Sequence, residues 1–165
     1  MPKLIKDGQL SQDEWQSINE ESFSFSQLDE GKWILPLGLY EQAIEHGFAD
    51  LERLAIGLSS DQDILSVKGY VKHLPMIALN FDAFADGRSF SQARVLRDQL
   101  DFTGEVRAAG AFIQDQLYYL SRCGVNTFVL PDDANIDSAL TSLSDFSNAY
   151  QAACDEPQPL FRRRS

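Results

Sequence analysis

From residue 31 onward, short apolar runs alternate with amphipathic stretches, and this rhythm restricts the chain to a small set of folds. The run "KWILPL" precedes "GLYEQAIEHG", a helix stopped by Gly47; "LAIGLSS" precedes "QDILSVKGYVKHL", with Ser60 or Asp61 as its cap. "PMIALNF" is apolar almost throughout, the pattern of a strand buried on both faces, and Ser89 is placed to cap "FSQARVLRDQL". In that helix Phe90, Ala93, Leu96 and Leu100 recur at helical spacing. The turn "DFTG", the strand "EVRAAG", the helix "FIQDQLYYLSRC" with Gly124 as its stop, the strand "NTFVLP" and the helix "IDSALTSLSDFSNAYQAA" complete the series. Alternation of this kind predicts an α/β fold: β-α units forming a mainly parallel sheet of about five strands flanked by helices, joined by right-handed crossovers. Five strands are too few for a complete eight-stranded barrel, so the expectation is an open sheet or a partial β/α barrel.

The two ends read differently. Residues 1–30 form an N-terminal extension, with a hairpin in "LIKDGQL" around its Asp-Gly turn, a short helical start in "SQDEWQSI", and a Ser-rich loop. Residues 31–154 make one α/β domain, and 155–165, "DEPQPLFRRRS", a flexible tail. At 165 residues the chain can bury a core without metal or disulfide staples. No apolar run approaches the roughly 20 residues of a membrane span, and the start lacks the apolar core of a signal peptide, so the expected location is the cytoplasm. Two cysteines, Cys123 and Cys154, support neither a disulfide framework nor a metal cluster.

A net charge of -11 argues against nucleic-acid binding, which needs a basic surface. The charge is uneven: residues 1–80 carry six Lys or Arg against thirteen acids, whereas residues 81–124 carry five arginines against six acids. In parallel sheets ligands gather where strands end and helix N-termini begin. The loop "DAFADGRS" falls at such a place, and its Arg88 has the planar fork that binds oxyanions. Gly87, Arg88, Ser89, Arg94 and Gln114 are the anion-binding candidates, and Asp82, Asp86 and Asp115 the acid–base candidates. The structural reading stands beside this one: Asp86-Gly87 makes a turn, Arg88 pairs with Asp82 or Asp86, and Arg94 lies on a solvated helix flank. Arg107, within a strand, needs a partner because a lone buried charge is costly. Tyr118, Tyr119 and Arg122 suit a contact with a partner protein or a second copy of the chain, and equally suit helix packing within the monomer.

Cys123 falls at a helix C-terminus, where the dipole disfavours a thiolate, so it reads as a buried structural residue. Neither a dinucleotide fingerprint nor a P-loop is present, and the sequence identifies no cofactor.

The segments "FADGRSFSQARVLRDQ", "GEVRAAG", "QDQLYYLSRCG" and "LSDFSNAYQ", with the "IKDG" start and the "ILPL" strand, resemble a bacterial family catalogued as domain of unknown function 934. Its members are commonly encoded beside genes of assimilatory sulfate and sulfite reduction. The resemblance implies an accessory protein of assimilatory sulfite reduction, in sulfate assimilation and cysteine biosynthesis, with sulfite reductase or another protein of that pathway as partner. Oxyanion chemistry would suit a pocket at the DGR loop. The alternative is an enzyme acting on a sulfur oxyanion or a phosphorylated small molecule, with Arg88 as anion binder. Electron delivery to sulfite requires a redox centre, and the sequence has no cysteine cluster for iron–sulfur ligation and no flavin or nicotinamide signature, which argues against an autonomous reductase.

Overall fold

The computed structural model describes residues 2–18, 20–83, 85–144 and 153. Its strands are β1 (Lys3–Lys6), β2 (Gln9–Ser11), β3 (Trp15–Ser17), β4 (Lys32–Pro36), β5 (Leu54–Leu58), β6 (Met76–Phe81), β7 (Glu105–Gly110) and β8 (Thr127–Leu130). The α-helices are α1 (Leu37–Glu45), α2 (Arg88–Asp98), α3 (Leu117–Arg122) and α4 (Ile136–Ser144). Strands lie in the order β2-β1-β8-β7-β6-β5-β4-β3. From β3 to β8 every neighbour is parallel, as the β-α rhythm requires, whereas β1 joins β8 and β2 antiparallel.

The α/β class therefore holds, but the expected mainly parallel sheet of about five strands is instead a mixed sheet of eight. The hairpin at the start is part of that sheet: Leu4 and Ile5 are buried, and Ile5 lies opposite Phe128 of β8. "SQDEWQSI" holds strand β3 rather than a helical start, because Asp13 accepts a hydrogen bond from the Trp15 backbone N–H at 3.0 Å and turns the chain into pairing with β4. A three-residue strand is too short to show a period, which is why sequence pattern misses it. "QDILSVKGYVKHL" forms a 3-10 segment over Ile64–Val67, followed by turns through Gly69, and buries Ile64 and Val67. The last helix is described as far as Ser144; its expected continuation to residue 153, Cys154 and the tail at 155–165 lie outside the described residues, apart from residue 153.

Register explains the core. Leu35, Ile56, Ile77 and Val106 stand side by side across four strands, and Leu58, Leu79, Ala108, Phe128 and Ile5 across five. These rows share one face and pack against Tyr40 and Ala43 of α1, Ala93 and Leu96 of α2, Leu117 and Leu120 of α3, and Ala139 of α4. Two glycines set the connections. Gly110 ends β7 at φ +100, where a Cβ would meet the Phe81 carbonyl oxygen at 2.5 Å; Gly124, at φ +106, stops α3 and leaves room for Arg97.

Among the described residues no helix covers the opposite face, and the sheet curls around it. A flat sheet of eight strands would hold its edges roughly 34 Å apart at about 4.8 Å per spacing. Edge strands β2 and β3 are nevertheless joined by residues 12–14, a link that reaches at most about 14 Å. The sheet must therefore bend most of the way to a barrel. Arg107, on the inner face of β7 and with its side chain 3% exposed, fastens the link: Nη1 donates to both carboxylate oxygens of Asp13 at 2.8 and 2.9 Å, and Nε donates to Glu105 at 3.0 Å. Glu105 also pairs with Lys6 of β1 at 2.7 Å, and Glu14 pairs with Lys32 of β4 at 2.6 Å. Removing the guanidinium strands Glu105 and Asp13. Arg107→Ala is expected to cost about 3–5 kcal/mol and lower the thermal midpoint by roughly 6 to 20 °C. Asp13→Asn should cost less, since Asp13 keeps 26% exposure. An unchanged midpoint in Arg107→Ala would show that the link is held by other contacts.

Candidate functional site

The carboxyl ends of β5 and β6 bring Ser60, Asp82, Asp86 and Arg88 into one hydrogen-bonded cluster. Ser60 lies just beyond β5; its backbone N–H and its hydroxyl both reach Asp82 Oδ2, at 3.1 and 2.9 Å. The same hydroxyl lies 2.5 Å from Asp86 Oδ2, so two carboxylates converge on one proton. Arg88 supplies the compensating charge: Nε donates to Asp86 Oδ1 at 2.9 Å and Nη2 donates to Oδ2 at 2.7 Å, with a further 3.3 Å contact to Ser60. The Arg88 backbone N–H also donates to Asp86 Oδ1, at 3.0 Å, so a single carboxylate takes both the side chain and the main chain of residue 88. This bidentate geometry holds the Asp86 carboxyl well below the usual carboxylate range, chiefly through its hydrogen bonds with Arg88 and then Ser60, and raises the Arg88 guanidinium in turn.

The other sequence-selected residues divide by location. Gly87 precedes α2, and Ser89, placed as the helix cap by sequence pattern, lies inside α2, fully buried, with its hydroxyl donating to the Asn80 carbonyl at 3.0 Å. Arg94 pairs with Asp98 one turn along α2 at 3.2 Å. Gln114 donates to the Ser138 and Ser142 hydroxyls of α4, at 2.6 and 3.1 Å, and Asp115 is exposed. These two therefore stand apart from the DGR cluster. Tyr119 is 60% exposed, Tyr118 half-buried, and Arg122 buried, so the three do not share one surface. The Tyr119 ring rests against Phe90 of α2, centroids 5.2 Å apart, which sets an aromatic pair on the seam between α2 and α3 beside Arg94. Cys123 is buried, as its position at the end of α3 predicts.

The arginines of this region are thus engaged. Arg97 donates to the carbonyls of Gly124, Phe102 and Gly104 at 3.0, 2.6 and 2.8 Å, tying the end of α3 to the turn after α2.

A second feature escaped sequence reasoning. The bare inner face of the sheet encloses a cleft of about 1120 Å³ with a floor of Gly57, Ala78 and Ala109, and with Trp15 and Asp13 on the side of the β2–β3 link. Of the sequence-selected site residues none lines it. Its signal is a small residue on the inner face of each of "AIGL", "IALN" and "RAAG", namely Gly57, Ala78 and Ala109. Among the described residues no group of three or more His, Cys, Asp or Glu side chains is placed to hold a metal ion, and no helix is long and apolar enough to cross a membrane.

A family model described as "Bacterial protein of unknown function (DUF934)" matches residues 55–161, which takes in β5 to β8, the DGR cluster and helices α2 to α4. No curated protein and no solved structure gives a significant match.

Because Asp86 is depressed in the folded state, it stabilises the fold fully above its ordinary value near 3.8, and that contribution disappears as pH falls below it toward the native value. Asp86→Asn should therefore be less stable than the wild type at neutral pH, with the gap closing between about pH 4 and pH 2. Thermal midpoints across that interval measure it; a gap that stays constant would remove the Asp86–Arg88 pair from the acid response.

Proposed function

This chain belongs to the bacterial family of unknown function DUF934, and from that premise we propose that it is an accessory protein of assimilatory sulfite reduction in the bacterial cytoplasm. In this reading it docks on the reductase machinery rather than reducing sulfite by itself. The pathway comes from the setting that the family resemblance implies. The observation that carries the docking mode is the α2–α3 seam: Tyr119, 60% exposed, with its ring tilted against Phe90 and flanked by Arg94. Tyrosine and arginine are the side chains that most often anchor protein interfaces, and a ring already braced by a second ring loses little freedom on binding.

The DGR loop fits this reading as a brace. Asp86 occupies the Nε–Nη2 edge of the Arg88 fork, and none of the cleft's walls is drawn from that loop. Its role is to set the start of α2, and with it Phe90 and Arg94, against the ends of β5 and β6.

Affinity capture of sulfite reductase by the purified chain tests the reading, with Tyr119→Ala and Arg94→Glu as paired variants. Capture weakened by roughly tenfold or more in each, with thermal midpoints within about 2 °C of wild type, is the expected result. No association between the wild-type chain and sulfite reductase would overturn the proposed partner. Association that both variants retain would move the interface off this seam.

A further inference from the structure

The interior cleft has a chemistry of its own. Gly57, Ala78 and Ala109 are contributed by three adjacent strands, and Gly57 stands directly beside Ala78 in register. On the inner face these three short positions leave a gap between the Ile34 side chain, which lies against Gly57, and the Arg107 and Asn80 side chains, which stand beside Ala78 and Ala109 in register. Across from it, Trp15 supplies an indole wall, and the Asn80 carboxamide, exposed and without a hydrogen bond to any described residue, lies at the rim. A volume of about 1120 Å³ is at the upper end of pockets that enclose small organic ligands.

Charge decides what fits. The guanidinium of Arg107 is the cation on the cleft's floor, and Asp13 and Glu105 neutralise it from two sides. Lys3, at the margin, points its ammonium at the Ala134 carbonyl, 2.7 Å away. Glu20 adds a negative charge to the wall. Among the described lining residues, an oxyanion such as sulfite or phosphate would meet the Asp13 and Glu20 carboxylates, an Arg107 already paired on two sides, and a Lys3 ammonium turned to a carbonyl. The interior is polar all the same: Thr127, beside Arg107 in register and on the same face, is fully buried, and its hydroxyl has no hydrogen-bond partner among the described residues.

We propose that the cleft is a binding site for a flat, uncharged heteroaromatic ring, lying on the Gly57, Ala78 and Ala109 floor with Trp15 as its wall and the Asn80 amide as a hydrogen-bonding group at the mouth. A stacked ring replaces the water on an apolar floor, and ring nitrogens and carbonyls meet amide donors and acceptors rather than ions. The proposal is independent of the docking seam on α2 and α3, which lies on the helix-covered side of the sheet.

Lumichrome, a neutral planar tricycle, is the probe. Titrated into the full chain, it should bind saturably and quench indole fluorescence, and millimolar sulfite or sulfate should not compete. Ala109→Leu, at a half-buried position, and Ala78→Leu, at a buried one, each raise a side chain from the floor and should weaken binding by roughly tenfold or more. Trp15→Phe should remove the quenching while Trp33, on the other face of the sheet, still reports folding. Thermal midpoints check that each variant is folded; should Ala78→Leu fail, Ala109→Leu alone decides. Absence of saturable binding, binding unaffected by Ala109→Leu, or competition by sulfite would each overturn the proposal.

Discussion

Arg107 has both ends of its guanidinium committed, to Glu105 in its own strand and to Asp13 in the link between β2 and β3. That pairing joins residues 94 positions apart and fastens one sheet edge to the middle of the sheet. The curl follows, because residues 12–14 are too short to connect the edges of a flat sheet, and the cleft follows from the curl. Buried ion pairs of this sort add little net stability when weighed against well-packed apolar groups. Here the pair selects a shape: with apolar residues at these positions the inner face would have no directional contact to hold the link across it.

Three of the five arginines that make residues 81–124 nearly neutral in an acidic chain turn out to be employed at joints. Arg88 fixes the entry to α2, Arg97 gathers three carbonyls where α3 ends, and Arg107 holds the link. Each uses several donors of one planar group to satisfy acceptors from different segments, which a lysine, with its compact ammonium, does less well. A concentration of arginine can thus reflect how many chain segments meet rather than what the protein binds.

Much of the fold was legible because periodicity over five or more residues is a strong signal: the strands "PMIALNF" and "EVRAAG" and the helix over Phe90, Ala93 and Leu96 emerge as read. What stayed hidden depended on contacts distant in sequence. The three-residue strand β3 is a strand because of what it pairs with, and the antiparallel partnership of β1 with β8 has no local trace. At the candidate site, the Asp86–Arg88 pair was readable as a local alternative, two residues apart. Asp13, Trp15 and Gly57 were not, since their significance arises only when the inner face closes over them.

The pairing of β1 with β8 has a consequence for the order of events during synthesis. Lys3–Lys6 leaves the ribosome well before its partner, Thr127–Leu130. While the intervening strands and helices are being made, the hairpin has no sheet to join, and its apolar residues Leu4 and Ile5 stay uncovered. Strands β4 to β7 can assemble progressively, each onto the one before, but sealing the edge waits for β8. Contacts across so long a loop form slowly, and the β1–β8 pairing is the longest such closure in the sheet.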